Sequence, residues 1–161
     1  MNTRKSLLFL SFALIFLCLA ADSLALEAGD PLPEVVLRSL SGEYTSVSFF
    51  KGRIIIINFW ATWCPPCKKE IAVLNDIARA YRKDVAVFGL SNEDPITIRN
   101  FTRLQPVEYP VLLDGESNIH KRFGVLQIPA TFIVDRAGVV RKKHSGPLDF
   151  TEIRKTIESL R

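Results

Sequence analysis

The chain has 161 residues, which is long enough for one domain with a substantial core and too short for two comfortable ones. Its formal net charge is +4, and the basic residues are scattered along the sequence without forming a stripe interleaved with aromatic side chains. Such mild basicity is typical of a solvated surface, so we expect no nucleic-acid partner.

The first 25 residues have the pattern of an export signal. Arg4 and Lys5 give a positively charged start, residues 7–21 are apolar except for one serine, and Ser23-Leu24-Ala25 is a small-x-small cleavage site. The apolar stretch is shorter than the roughly 20 residues that a membrane-spanning helix needs. The sequence therefore predicts a signal peptide over residues 1–25, with cleavage after Ala25.

Cleavage there would leave residues 26–161 as one domain in the periplasm or another extracytoplasmic compartment. Without cleavage, the apolar residues 7–21 would anchor this domain to the cytoplasmic membrane. Cys18 lies inside the apolar stretch and would leave with the signal. Cys64 and Cys67 would then be the only cysteines of the mature protein.

Beyond the signal, β-type and helical patterns alternate in an order typical of α/β domains. The predicted strands are residues 34–38, 47–50, 54–59, 85–90, 111–113, 130–134 and 139–142. The predicted helices are residues 65–81, 95–105, 116–122 and 149–160. The first two strands should form a hairpin, and the third and fourth should pair in parallel across a right-handed βαβ unit.

A Cys-Pro-Pro-Cys sequence lies where the apolar strand ends and the first long helix begins. A bridge between Cys64 and Cys67 closes almost no loop, so it would constrain the unfolded chain very little. At a helix N-terminus the first sulfur faces unpaired N–H groups, which favour its thiolate, and the second can attack a mixed disulfide formed by the first. We therefore predict that Cys64 is an exposed nucleophile and Cys67 the resolving thiol.

The two intervening prolines tune this pair. Pro65 and Pro66 are well tolerated early in a helix, but they remove two N–H donors that could have solvated the Cys64 thiolate. The Cys67 N–H is then the nearest donor. We expect a moderately lowered pKa for Cys64 and a pair that is reducing rather than strongly oxidising.

Glu70 follows Cys67 by three residues and so lies on the same helix face. One interpretation is a surface glutamate at the edge of the apolar stripe. The other is a partly buried carboxylate beneath the disulfide, with a raised pKa, which relays a proton to or from Cys67. The spacing alone leaves both open.

Metal and phosphate chemistry are disfavoured by the remaining residues. A zinc site needs about four ligands, and besides the cysteine pair the sequence offers only His120 and His144, neither in a ligand pattern. We expect each histidine to be a solvated surface residue. Glycine-rich phosphate loops are absent from the sequence, so the expected redox group is the cysteine pair itself, with no further cofactor and no metal.

The sequence from Phe59 to Glu70 resembles the thioredoxin superfamily, and in particular the exported TlpA/ResA/CcmG (DsbE)-like thiol–disulfide oxidoreductases. Residues 124–132 resemble the cis-proline segment of this family, with Pro129 as the proline. The resemblance implies a thioredoxin-like α/β fold, in which helices flank a central mixed β-sheet. It also implies an N-terminal β-hairpin and a strand and helix inserted within residues 91–123.

The resemblance also implies where substrates bind. A cis bond before Pro129 would hold the Ile128 backbone against the cysteines, where it can pair with an extended substrate chain. Trp63 would shield the sulfurs and shape the docking surface, although the sequence alone favours this role only slightly over a packed core tryptophan.

The predicted function is reduction of disulfides in partner proteins outside the cytoplasm. Family resemblance implies a role in cell redox homeostasis and cytochrome c maturation, with apocytochrome c as a substrate and a membrane thiol carrier of the CcdA/DsbD type as electron donor. One alternative is a peroxiredoxin-like thiol peroxidase, against which Ala61 counts because that pattern has threonine three residues before the cysteine. A non-catalytic peptide-binding module that uses the same groove is the other alternative.

Overall fold

The strand over Ile54–Phe59 forms as predicted, and all six of its residues are buried. Burial of every residue is what a central strand needs when both faces of its sheet are covered. The computed structural model describes residues 25–161. The predicted signal, including Cys18, therefore lies outside the described residues except for Ala25.

The elements of the described residues follow the predicted order. The strands are β1 (Val36–Ser39), β2 (Tyr44–Ser46), β3 (Ile54–Phe59), β4 (Val85–Ser91), β5 (Val111–Leu113), β6 (Ala130–Val134) and β7 (Val140–Ser145). The α-helices are α1 (Pro65–Ala80), α2 (Pro95–Leu104), α3 (Asn118–Arg122) and α4 (Phe150–Leu160). In this part of the chain no helix has the length and apolar character needed to cross a membrane.

The seven strands form one mixed sheet in the order β2-β1-β5-β4-β3-β6-β7. The pairs β3/β4 and β4/β5 are parallel, and the other four pairs are antiparallel. The segment α2-β5-α3 is inserted between β4 and β6, and β5 joins the N-terminal hairpin to the sheet by pairing with β1. The predicted hairpin, insertion and mixed sheet are all confirmed.

One strand prediction is wrong. Residues Val47–Phe50 form a 3₁₀-helix, and the second strand of the hairpin is β2. Val47 is fully buried and Phe50 packs against the same core cluster, while Phe49 between them is exposed. Two core contacts three residues apart fit a 3₁₀ turn, whereas a strand would point alternate residues inward.

Each face of the sheet has its own core because successive residues of β3 point to opposite sides. On one face the aromatic rings of Phe59, Phe123 and Phe132 pack together with the buried Leu26 and Leu32 of the N-terminal segment. On the other face Ile54 and Ile56 pack against α1 and α4, through Leu74, Ile77, Ile153 and Ile157. The sheet is therefore covered on both sides. Packing from both faces holds β3 in place shortly before the cysteine pair.

Gly89 of β4 leaves no room for a side chain. An ideal Cβ at this position would lie 2.8 Å from Trp60 Nε1 and 3.0 Å from Tyr109 Cε2. We expect Gly89→Ala to lower the free energy of unfolding by about 1–3 kcal/mol, because two buried rings must move to accept one methyl group. Urea denaturation of the disulfide-bonded protein measures this change.

Gly115→Ala is the matched control, since a Cβ at Gly115 meets nothing within 4 Å and its backbone lies outside the left-handed region. Its free energy of unfolding should stay within about 0.5 kcal/mol of wild type. Equal effects of the two substitutions would contradict the close packing inferred at Gly89.

Candidate active site

The cysteine pair lies at the junction of β3 and α1. Cys64 is the N-cap residue of α1, and Pro65 and Pro66 occupy the first helical positions. Cys64 and Cys67 are joined in a disulfide with their Cα atoms 5.3 Å apart. The Cys67 N–H donates to Cys64 Sγ at 3.3 Å, as expected for a helix whose first two positions lack an N–H.

The prediction of an exposed Cys64 is wrong for the disulfide form. Cys64 is only 3% exposed and Cys67 only 1%. Both belong to a buried cluster whose other members are Trp60, Ala61, Ile71, Ile98 and Val111. The sulfur of another protein therefore has little direct access to this disulfide.

Glu70 is buried, with 2% of its surface exposed, so it is not a surface glutamate. Its Oε1 accepts the backbone N–H of Leu148 at 2.5 Å, and its Oε2 accepts the side-chain amide of Asn58 at 3.0 Å. Within residues 25–161, no cationic side chain forms an ion pair with this carboxyl group. The carboxyl thus sits one helical turn beyond Cys67 with only neutral donors as partners.

Burial raises the pKa of the Glu70 carboxyl above its ordinary value. The hydrogen bonds from Leu148 and Asn58 favour the charged form, but they only partly offset the effect of burial. Burial and the nearby charge of Glu70 also raise the pKa of Tyr109. The site therefore favours a protonated Glu70 more than water does.

Asn58 and Thr131 are two site residues that the sequence interpretation missed. The Asn58 amide bridges Glu70 Oε2 and the Thr131 hydroxyl, which lies 2.9 Å from it. Asn58 and Thr131 face each other across β3 and β6, and both are almost completely buried. Asn58 is the one polar residue in an otherwise apolar buried strand. Because a buried amide needs a hydrogen-bond partner, this residue could have indicated a polar contact in the core.

An open, largely apolar pocket of about 370 Å³ gives Glu70 a route to solvent. Pro66 and Val73 of α1 line one part of it, and Pro147 and Leu148 line another. The carboxyl group thus has neutral hydrogen-bond donors and lies at the wall of an opening. Such a position suits a group that exchanges protons between the interior and water.

A second opening, of about 360 Å³, is a groove beside Trp63, the residue that directly precedes Cys64. Trp63 and Ile128 both line it, together with Leu126. Trp63 is 68% exposed, so it is not a core tryptophan, and Leu126 is almost fully exposed. The Ile128–Pro129 peptide bond is cis, as the resemblance implies.

The backbone of this groove is open to a ligand. Within residues 25–161, no hydrogen bond involves the backbone N–H or C=O of Gln127 or Ile128, although Gly146 N–H donates to the Pro129 carbonyl at 2.8 Å. Unpaired backbone groups beside exposed apolar side chains are suited to binding an extended polypeptide.

The expectation that His120 is a solvated surface residue is wrong. His120 is 8% exposed, and its Nδ1 lies 2.6 Å from Asp114 Oδ2. The acidic partner lies six residues away, across the turn that begins α3, so helical periodicity could not have found the pair. His144 is partly exposed, with Nε2 3.0 Å from the Pro147 carbonyl oxygen. Across residues 25–161, no three His, Cys, Asp or Glu side chains are grouped to hold a metal ion.

The mixed sheet, with a Cys-x-x-Cys disulfide at the start of the helix that follows its central strand, defines a thioredoxin-like thiol–disulfide oxidoreductase. A profile of the AhpC/TSA family matches residues 28–143, and the chain belongs to this family.

Relatives of known class support both statements. The thiol-disulfide oxidoreductase ResA of Bacillus thuringiensis is 33% identical over 123 residues, which are 75% of this chain and 71% of ResA. The thioredoxin-like protein YneN of Bacillus subtilis is 29% identical over 137 residues, 83% of this chain and 80% of YneN. The crystal structure assigned as thiol:disulfide interchange protein DsbE from Chlorobium tepidum superposes with a TM-score of 0.80 at 26% identity, covering 84% of this chain and 99% of that one. The predicted fold and enzyme class are confirmed.

The raised pKa of Glu70 makes stability depend on pH. Because the folded protein holds this pKa above the unfolded value of about 4.3, the favourable contribution is complete below that value and is lost as pH rises through the raised pKa. Glu70→Gln does not titrate. We therefore expect the wild type to lose stability relative to Glu70→Gln as pH rises from about 4 through the raised pKa.

Urea denaturation of both disulfide-bonded proteins across this pH range measures the difference. Every other carboxyl group is common to the two proteins, so its titration cancels to first approximation. A difference that does not change with pH would contradict the raised pKa.

Proposed function

We propose that this protein reduces disulfides of partner proteins outside the cytoplasm, with Cys64 as nucleophile and Cys67 as resolving thiol. The observation that carries the proposal is the buried Cys64–Cys67 disulfide at the N-terminus of α1, one turn before the buried Glu70. A disulfide that closes so short a loop adds little stability to the fold. The same bond next to a carboxyl group that can exchange protons is suited to redox chemistry.

The reaction begins with the reduced pair. The Cys64 thiolate attacks one sulfur of the substrate disulfide, and the other substrate sulfur leaves as a thiolate that takes a proton from solvent. Cys67 then loses its proton and attacks Cys64 Sγ in the mixed disulfide. The enzyme disulfide forms, the second substrate sulfur leaves as a thiolate that takes a proton from solvent, and two electrons have passed from the enzyme to the substrate.

Glu70 is the proposed base for the second step. It follows Cys67 on the same face of α1, and its raised pKa makes it a better proton acceptor than an ordinary carboxylate when ionised. Asn58 and the Leu148 N–H fix the carboxyl group in one orientation. After reaction, the apolar pocket beside Pro66 lets the proton pass to water.

The substrate is proposed to bind in the groove beside Ile128, with extended backbone. The unpaired groups of Gln127 and Ile128 would hydrogen-bond to its main chain, and Trp63 and Leu126 would contact its side chains. Main-chain recognition accepts many sequences, in keeping with a protein-disulfide substrate. Among such substrates we propose apocytochrome c, on the strength of the family resemblance.

The compartment and the electron donor are part of the same proposal. Residues 1–25 would direct export, either as a cleaved signal or as an anchor through residues 7–21. Because the enzyme ends each cycle oxidised, it needs a two-electron reductant, and we propose a membrane thiol carrier of the CcdA/DsbD type. No further cofactor is required for this chemistry.

We expect the purified protein to accelerate reduction of insulin by dithiothreitol, and Cys64→Ser to abolish the acceleration. Cys67→Ser should instead accumulate a mixed disulfide between Cys64 and the substrate, because the resolving step is blocked. Non-reducing electrophoresis and mass spectrometry of the trapped species measure both effects.

Two outcomes would favour the other functions considered for this chain. Rapid consumption of hydrogen peroxide with a thiol donor, lost in Cys64→Ser, would indicate a peroxidase. Full function in cells of the double variant Cys64→Ser, Cys67→Ser would indicate a non-catalytic binding module.

Pro66 is expected to keep the pair reducing. It occupies the second helical position, whose N–H usually donates to the N-cap side chain, here Cys64. Pro66→Ala restores that donor, stabilises the thiolate and should raise the reduction potential by about 30 mV or more, from a wild-type value well below about −120 mV. Titration in glutathione redox buffers measures the potential.

Pro95→Ala makes the same change at the first position of α2, away from the sulfurs. Its potential should equal that of the wild type. A wild-type potential near −120 mV, or an unchanged potential in Pro66→Ala, would contradict the role assigned to the prolines.

A further inference from the structure

Asp114 and His120 form a buried pair in the insertion between β4 and β6. Their side chains are 3% and 10% exposed, and Asp114 Oδ2 lies 2.6 Å from His120 Nδ1. The Asp114 carboxyl group also accepts the backbone N–H groups of Ile119 and His120, at 3.2 and 2.9 Å. These two backbone bonds already satisfy donors at the start of α3, so they do not explain why an imidazole lies there.

The pair fixes which nitrogen of His120 is free. Burial tends to raise the pKa of Asp114, but the hydrogen bonds from the His120 ring and from the two N–H groups outweigh burial and lower it. An ionised carboxylate only accepts hydrogen bonds, so Nδ1 must carry a proton. In the neutral imidazole Nε2 is then an acceptor.

The second ring nitrogen, Nε2, belongs to a residue that lines the groove beside Ile128. His120 lines this groove together with Trp63 and Ile128. Within residues 25–161 Nε2 has no hydrogen-bond partner, and it is not one of the unpartnered side-chain atoms that are sealed from solvent. The ring also packs edge-on against Phe59, with centroids 4.8 Å apart, so it is held from two sides.

On the basis of the proposed function, we propose that His120 binds the substrate polypeptide, with Nε2 accepting a hydrogen bond from a backbone N–H of the extended segment in the groove. A substrate N–H that enters the groove loses water, and leaving it unpaired would cost binding free energy. A ring already fixed by Asp114 and Phe59 makes this bond with little loss of conformational freedom. Asp114 acts through His120 and is a positioning residue.

Two substitutions separate this role from a structural one. In His120→Asn the amide nitrogen can replace Nδ1 and keep the bond to Asp114, but nothing reaches the groove. In His120→Gln the amide oxygen can reach the place of Nε2. The assay measures kcat and KM for reduction of insulin, and of hydroxyethyl disulfide, which is too small to fill the groove.

We expect His120→Asn to raise the KM for insulin about fivefold to tenfold, the effect of one lost hydrogen bond, with kcat nearly unchanged. His120→Gln should recover at least half of the lost affinity on a logarithmic scale. Both variants should reduce hydroxyethyl disulfide like the wild type. An unchanged KM in His120→Asn, an equal loss with the small disulfide, or no recovery in His120→Gln would overturn the proposal.

A second measurement needs no change at position 120. In Cys67→Ser, nitrogen NMR of the imidazole ring should report the Nδ1–H form, and the Nε2 resonance should shift when Cys64 is linked to a cysteine-containing peptide. An Nε2 resonance that does not shift would also overturn the proposal. If the wild type fails to reduce insulin, the proposed function itself fails. If the wild type is active and any of the contradicting results above is found, only the role of His120 is rejected.

Discussion

The hydrogen bond between the Asn58 amide and the Glu70 carboxyl group is the contact on which the active site depends. It joins the central strand to the active-site helix, while the Leu148 N–H ties the same carboxyl group to the segment before α4. These donors are neutral, so they orient the carboxyl group without supplying a compensating charge. Burial then keeps the pKa of Glu70 high.

The sulfurs and Glu70 lie in a buried part of the site, apart from the exposed groove. The sulfurs and Glu70 are buried, and the disulfide belongs to an apolar cluster on one side of the sheet. Trp63 and Leu126 are exposed and line the groove beside them. A small disulfide and a polypeptide thus differ in the contacts open to them, because only the polypeptide is large enough to fill the groove. Burial of the pair limits unwanted exchange, and under the proposed function the groove would supply the binding energy that overcomes this limit.

Sequence patterns were most informative where local physics decides the structure. The apolar run Ile54–Phe59 and the helix beginning at Pro65 follow from hydrophobic periodicity and from the tolerance of early helix positions for proline. The strand prediction for Val47–Phe50 is wrong because a four-residue segment with three apolar residues fits a strand and a 3₁₀ turn equally well until its core contacts are known. The bounds of short elements such as α3 were also displaced by a few residues.

The features that could not be predicted all depend on contacts between distant parts of the chain. Cys64 is buried in a cluster that includes Ile98 and Val111, which belong to the insertion. Glu70 could be placed on the correct helix face, but its burial depends on Leu148, far along the sequence. Helical spacing cannot show that the turn before α3 folds Asp114 back onto His120.

Besides extending the sheet, the insertion α2-β5-α3 contributes side chains to the apolar cluster and to the groove. Through Ile98 and Val111 it closes the apolar cluster around the disulfide, and through His120 it adds a fixed polar group to the groove. A sheet in which β4 connected directly to β6 would lack both contributions, and its disulfide would be more open to solvent. Under the proposed function the insertion would therefore adjust the reactivity of the sulfurs and the recognition of the substrate together, so a change in its packing should affect both properties.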